Sequence, residues 1–184
     1  GDLLVGRCPG LFAGVGAGGV LTQAPTFVRL WAGQIRHDRP APPGEDPIRY
    51  YLGVLEDKTG ALISTAARYG AMFGGCPPEV VRLVTDYGQR LGMAFQLSDD
   101  IMDVISTEEE LHKLPGQDMK QGLYTLPVLH ALEDEGVSGR LRELLATGLP
   151  EEEQLAEALE MVRSEGPLAR SREAVTEQVR RATR

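Results

Sequence analysis

The chain is poor in the residues that most often announce a function. Only two of its 184 residues are cysteine, Cys8 and Cys76. They are far apart and carry no Cys-x-x-Cys or Cys/His spacing, so neither a zinc site nor a disulfide framework is indicated. Both read as small buried hydrophobes in a reducing compartment, which sets the expectation of a cytoplasmic protein. Aromatic residues make up 5%, and 19 Lys and Arg face 27 Asp and Glu. The net charge of −8 leaves no basic stripe for nucleic acid. Residues 8–28 carry no charge, yet Pro9, Pro25 and five glycines interrupt them and their apolar side chains are small. A spanning helix needs about 20 mainly apolar residues, so no transmembrane segment is expected. No basic leader precedes a compact apolar segment, which argues against a signal peptide. No stretch alternates with β-branched enrichment, so no sheet is expected.

What is present is helical periodicity over one domain's worth of sequence. Phe27, Leu30 and Trp31 place a helix over 26–37, closed by Pro40, Pro42 and Pro43. Asp46 and Pro47 form a helix start, and one helical pattern runs on to about Phe73 before Gly74 and Gly75 stop it. A helix of more than 25 residues comes next, from Glu79 to about Ile105, its apolar positions Val80, Leu83, Val84, Tyr87, Leu91, Ala94 and Phe95 recurring at three and four. Residues 106–116 read as a polar connection. Further helices occupy about 125–135, 139–146, 151–165 and 167–182. The fold class is all-α, a helical bundle rather than a coiled coil, since no heptad pattern persists.

The segment Phe95-Gln96-Leu97-Ser98-Asp99-Asp100-Ile101-Met102-Asp103 carries the chemistry. At 100° per residue Gln96, Asp99, Asp100 and Asp103 share one stripe of an otherwise buried helix. Asp99 and Asp103 are four apart, where like charges repel. A divalent cation is the simplest compensation, and carboxylate oxygens with a Gln amide suit Mg²⁺, which binds through a few carboxylates plus substrate phosphates. A solvated acidic face is the plainer alternative. Lys58-Thr59 lies in a helix rich in Gly, Ala and Leu, Lys113 comes just after the aspartate helix, and Gly116 to Gly122 bound a polar loop leading to Thr125-Leu126-Pro127. Each alone reads as a snorkelling lysine, a solvated loop or a helix-start turn. Together they place lysines beside an acidic metal site, the arrangement that holds a diphosphate.

Lys58-Thr59, then Phe95-Gln96 with Asp99, Asp100 and Asp103, then Lys113, then Gly116, Asp118, Gly122, Thr125 and Pro127 resemble the trans-isoprenyl (polyprenyl) diphosphate synthases in order and approximate spacing. Met161 to Gly166 with Ala169, and the opening Gly1-Asp2-Leu3-Leu4, are similar to that family's last helices and to a segment after its first aspartate-rich motif. The resemblance implies that residues 1–184 are the C-terminal part of a single isoprenoid synthase domain lacking its N-terminal helices. It implies condensation of an allylic diphosphate with isopentenyl diphosphate, Mg²⁺ as cofactor and a homodimer in the intact enzyme.

Carried over residue by residue, Asp99 is the principal metal ligand, and Asp100 and Asp103 are ligands or water-mediated supports. Lys58, Thr59, Gln96 and Lys113 bind the allylic diphosphate or stabilise the cation. Gln34 matches a family glutamine weakly, and His37, standing where some members have an acid, receives no role. Many members have a lysine where Leu123 stands, and Lys120 is the nearby substitute. Some longer-chain synthases are similar in having an apolar residue there, which points to a polyprenyl product.

The first aspartate-rich motif and the basic pair for isopentenyl diphosphate precede the segment present here, and nothing in residues 1–57 replaces them. The chain begins with Gly1 rather than Met, as a processed or partial chain would. Alone, it is expected not to be a competent synthase. A class I terpene cyclase is disfavoured because the late motif is Asp-Asp-x-x-Asp. A non-catalytic partner subunit remains open, whereas a Ca²⁺ module lacks its Asp-x-Asp-x-Asp-Gly loop.

Overall fold

A computed structural model describes Arg7, residues 17–111 and residues 114–183. Lys113, Cys8 and the Gly1–Leu4 segment lie outside the described residues, and every regular element among those described is helical. Helix α1 spans Ala17–His37 and starts well before the Thr26 that periodicity suggests. Pro25 is tolerated inside it because it is exposed, where a carbonyl deprived of its donor can be solvated. The hydroxyls of Thr22 and Thr26 donate to the carbonyls of Gly18 and Thr22 at 3.0 and 2.9 Å.

Asp46 caps α2 (Pro47–Leu55) as expected, its carboxylate accepting from the amides of Ile48 and Arg49. The helix does not run on unbroken to Phe73. A π-helical turn, Glu56–Gly60, separates α2 from α3 (Ala61–Phe73). The turn from Gly74 to Pro77, with Gly75 at φ +74°, folds the chain back into α4 (Pro78–Ile105). Cys76 sits in that turn and is exposed, which corrects the expectation of a buried thiol. Its amide is taken up by the Ala71 carbonyl, so the thiol is left at the end of the hairpin rather than between helices. Two glycines bring α4 against the start of α3: a Cβ on Gly92 would lie 2.9 Å from the Cα of Gly60.

The connection after α4 contains a helical turn, α5 (Glu108–Leu111), and the Gly-bounded loop contains another, α6 (Gln117–Lys120). Four helices complete the chain: α7 (Leu126–Glu133), α8 (Ser138–Ala146), α9 (Glu152–Val162) and α10 (Glu165–Ala182). The larger core joins α7, α8 and α9 to Val104 at the end of α4 and Met119 of α6. The smaller one joins Tyr51 and Leu55 of α2 to Met93, Leu97 and Leu126. The periodic apolar residues of α4 do not all enter these cores. Leu83, Tyr87, Leu91 and Phe95 form an exposed stripe, because α3 and α10 cover other faces of the helix and no described element covers this one. Among the described residues no helix is long and apolar enough to cross a membrane.

His130 of α7 is buried. Burial, reinforced by the charge of Arg170 and opposed by Glu133, lowers its pKa from 6.5 to about 4. The unfolded chain therefore takes up this proton first as the pH falls. The contribution to stability is full above pH 6.5 and is lost between 6.5 and about 4. Urea midpoints measured across that window should fall more steeply for the native chain than for His130→Leu, and equal slopes would contradict this.

Candidate active site

The last turns of α4 carry Gln96, Asp99, Asp100 and Asp103, and three bonds fix that end of the helix. The amide of Ser106 donates to the Met102 carbonyl at 3.0 Å, and that of Gly116 to the Asp103 carbonyl at 2.9 Å. The Arg163 guanidinium donates to the Val104 carbonyl at 2.7 Å. Gly116 suits this place because it has φ +74°, and a Cβ there would also press to 3.0 Å on a Leu159 methyl. From it the chain makes the α6 turn, anchors Met119 in the larger core, and closes with the Leu123 amide on the Asp118 carbonyl at 2.8 Å.

The aspartate stripe is real, but its members differ. Asp99 is exposed, whereas Asp100 and Asp103 are only 3% and 6% exposed. Asp100 is held at both oxygens: the Tyr51 hydroxyl donates to one at 2.6 Å, and the Gln96 amide to the other at 3.2 Å. The Thr59 hydroxyl in turn donates to the Gln96 carbonyl oxygen at 2.9 Å. A relay from Thr59 through Gln96 and Asp100 to Tyr51 thus ties the π turn, α4 and α2 together. Burial pushes the Asp100 pKa up to about 7, against the lowering effect of both hydrogen bonds, and the charges of Asp118 and Asp99 add to the rise. Burial and Asp100 together also push Tyr51 well up, so its hydroxyl stays a neutral donor.

Lys58 stands beside Thr59 on the π turn. Burial, with the Lys58 charge adding to it, lowers the pKa of the His37 imidazole at the end of α1, while Asp38 and Asp118 act the other way. Lys58, Asp118 and Asp100 therefore belong to one electrostatic neighbourhood. Of the residues singled out in the sequence, Thr59, Gln96 and Asp100 are directly joined. Asp99 acts on Asp100 through its charge. Lys120 is exposed on α6, and the Gln34 amide is spent on Asp38 at 3.2 Å. Tyr51, which the pattern marks only as a helix position, is the site residue that sequence reasoning missed, and Asp118 belongs to a motif that assigns it no role. A buried tyrosine hydroxyl needs a partner, but only the fold shows which. Leu123, Tyr51 and His37 line one cavity of about 490 Å³ beside the relay.

Among the described residues no three His, Cys, Asp or Glu side chains converge closely enough to hold a metal unaided. The donor set still fits an oxygen-seeking divalent cation. Its carboxylates share one stripe, and the charge of Asp118 acts on Asp100 as well. Tyr51→Phe removes the hydroxyl donor and leaves one oxygen of a buried carboxylate unpaired. That should cost roughly 1–3 kcal/mol in urea denaturation above pH 7, and a variant as stable as the native chain there would contradict the relay.

The polyprenyl synthetase family model matches residues 25–162. Nonaprenyl diphosphate synthase of Mycobacterium tuberculosis is 38% identical over 178 residues, covering 96% of this chain and 53% of that protein. Heptaprenyl diphosphate synthase component 2 of Geobacillus stearothermophilus is 39% identical over 118 residues, covering 64% of this chain and 37% of that protein. A crystal structure of geranylgeranyl pyrophosphate synthase from Corynebacterium glutamicum, complexed with calcium and isoprenyl diphosphate, matches with a TM-score of 0.88 and 36% identity, over 99% of this chain and 57% of that one. The chain spans about half the length of the Mycobacterium and Corynebacterium proteins. With the polyprenyl synthetase model matched across most of the sequence, the chain belongs to the polyprenyl synthetase family.

Proposed function

We propose that this chain carries the part of a trans-polyprenyl diphosphate synthase that binds and ionises the allylic diphosphate. The observation that supports this most is the relay that sets the aspartate stripe against the Lys58-Thr59 turn. Lys58 supplies a mobile point charge and N–H donors to the diphosphate, with Lys113 and Lys120 as further lysines for it. Thr59 orients the Gln96 amide toward Asp100, and Tyr51 holds that carboxylate from the other side. Asp99, Asp100 and Asp103 would hold Mg²⁺, which when bound neutralises the charge developing on the leaving diphosphate. Leu62 lies one turn beyond Lys58 and Phe95 one turn before Asp99, and both are exposed. Such apolar neighbours suit a hydrocarbon tail, which once bound would cover them. The isopentenyl double bond then attacks that cation and a proton is lost, a sequence that needs no protein nucleophile.

Apolar Leu123 in place of a lysine supports a long product, and a cytoplasmic location is part of the same reading. The exposed residues Leu21, Val28, Trp31 and Ile35 on one side of α1 suit a homodimer. A second reading, a subunit that works with another chain, is favoured by the match to a protein named as component 2 of a synthase.

Calorimetry with Mg²⁺ and geranyl diphosphate should show metal-dependent binding, weakened about tenfold or more by Lys58→Ala and by Asp99→Ala. Binding indifferent to metal and to both substitutions would overturn the proposal. Supplied with isopentenyl diphosphate as well, the chain alone should give no coupled product, and turnover would show that this part of the fold suffices.

A further inference from the structure

The π turn that presents Lys58 and Thr59 is an uncommon conformation, and such turns persist where neighbours hold them. Here the wide bond runs from the Ala61 amide to the Glu56 carbonyl. Two side chains from other helices converge on the same carbonyl: Arg29 of α1 donates to it at 3.3 Å and Gln89 of α4 at 3.2 Å. The next residue, Asp57, accepts from Arg29 at 2.8 Å and from Arg36 at 3.4 Å. Arg36 is itself fixed, lying 4.7 Å over the Tyr50 ring, while the Tyr50 hydroxyl donates to the Arg36 carbonyl at 2.9 Å. Glycines permit both approaches. A Cβ on Gly33 would lie 2.7 Å from the Lys58 amide nitrogen, and one on Gly60 would lie 2.1 Å from the Gln89 amide.

None of Arg29, Arg36, Asp57 or Gln89 belongs to the metal or diphosphate motifs, yet Arg29, Arg36 and Gln89 grip Glu56 and Asp57, the two residues just ahead of Lys58. A π turn holds one residue more than an α turn, and dropping that residue rotates the next stretch of helix by roughly 100°. Relaxation to an α turn would therefore swing Lys58 and Thr59 away from Gln96 and the aspartate stripe. We infer that Arg29, Arg36, Asp57 and Gln89 are positioning residues for diphosphate binding, acting through the π turn that carries Lys58. The inference rests on the proposed role of Lys58. Asp57 is the hub, because it alone accepts from both arginines, and the side chains involved are partly exposed. Exposed ion pairs are weak singly, so the brace works as a set.

The test pairs two measurements on the whole chain: Mg²⁺-dependent affinity for inorganic pyrophosphate, and hydrogen exchange of the Ala61 amide. In Asp57→Asn and Gln89→Leu the amide should exchange faster and the affinity should fall about threefold to tenfold, with little change in the thermal midpoint. Asp57→Glu, which keeps the carboxylate, should stay near the native affinity, and the swapped pair Arg29→Asp with Asp57→Arg should recover part of the loss. Faster exchange with unchanged affinity would overturn the inference, as would unchanged exchange in both variants. Lys58→Ala distinguishes failure of the brace from failure of the site. If it binds pyrophosphate like the native chain, the role of Lys58 fails and the brace with it. If it binds weakly while Asp57→Asn binds normally, only the brace fails.

Discussion

Asp100 accepts hydrogen bonds from Tyr51 and Gln96 while almost wholly removed from water, and most of what surrounds it answers to that burial. An isolated carboxylate in such a place would keep its proton. Two donors pull its pKa down, but burial together with Asp99 and Asp118 still leaves it near 7. Burial is the larger cause, and the neighbouring carboxylates add to it. A lone buried acid would be a flaw in a scaffold, whereas one on a stripe with Asp99 and Asp103 is the feature on which the proposed cation and diphosphate site rests.

The rest of the fold supplies rigidity in proportion to that demand. The C-terminal helices α7, α8 and α9 hold the larger core, which reaches Val104 and Met119. Its edge provides Arg163 and Gly116 to tie off the carbonyls at the end of α4. On the other side α1 and α4 press on the π turn through glycines, so the lysine-bearing backbone is positioned by its neighbours rather than by its own helix propensity. The exposed apolar stripes of α1 and α4 contrast with this buried polar centre and mark surfaces suited to further packing or to hydrocarbon.

Much of this was legible from residue order. The Asp46 cap, the long α4 and the four helices from α7 to α10 come from periodicity and punctuation, which are local properties, whereas the split of the 46–73 pattern and the short helices α5 and α6 do not. The shared stripe of Gln96, Asp99, Asp100 and Asp103 comes from helical geometry. The π turn was not legible, because it depends on Arg29 and Gln89, which lie 27 and 33 residues from the carbonyl they grip. Tyr51 escaped notice for the same reason, since its partner is 49 residues away. Periodicity also could not say which apolar face of α4 would be covered. The hydrophobic pattern of Leu83, Tyr87, Leu91 and Phe95 is real, yet it faces outward among the described residues. Cys76 was misplaced because burial statistics for a residue type yield to a turn that ends a hairpin.

The central claim is that the aspartate stripe and the Lys58 turn form one metal–diphosphate site. A crystal structure of the chain grown with Mn²⁺ and pyrophosphate tests it most directly, because manganese is visible by anomalous scattering and takes the same hard oxygen ligands as magnesium. An anomalous peak within coordinating distance of Asp99 or Asp103, bridged by pyrophosphate oxygens that also meet Lys58, is the predicted result. Manganese bound only elsewhere, or pyrophosphate lodged away from Lys58, would contradict the account.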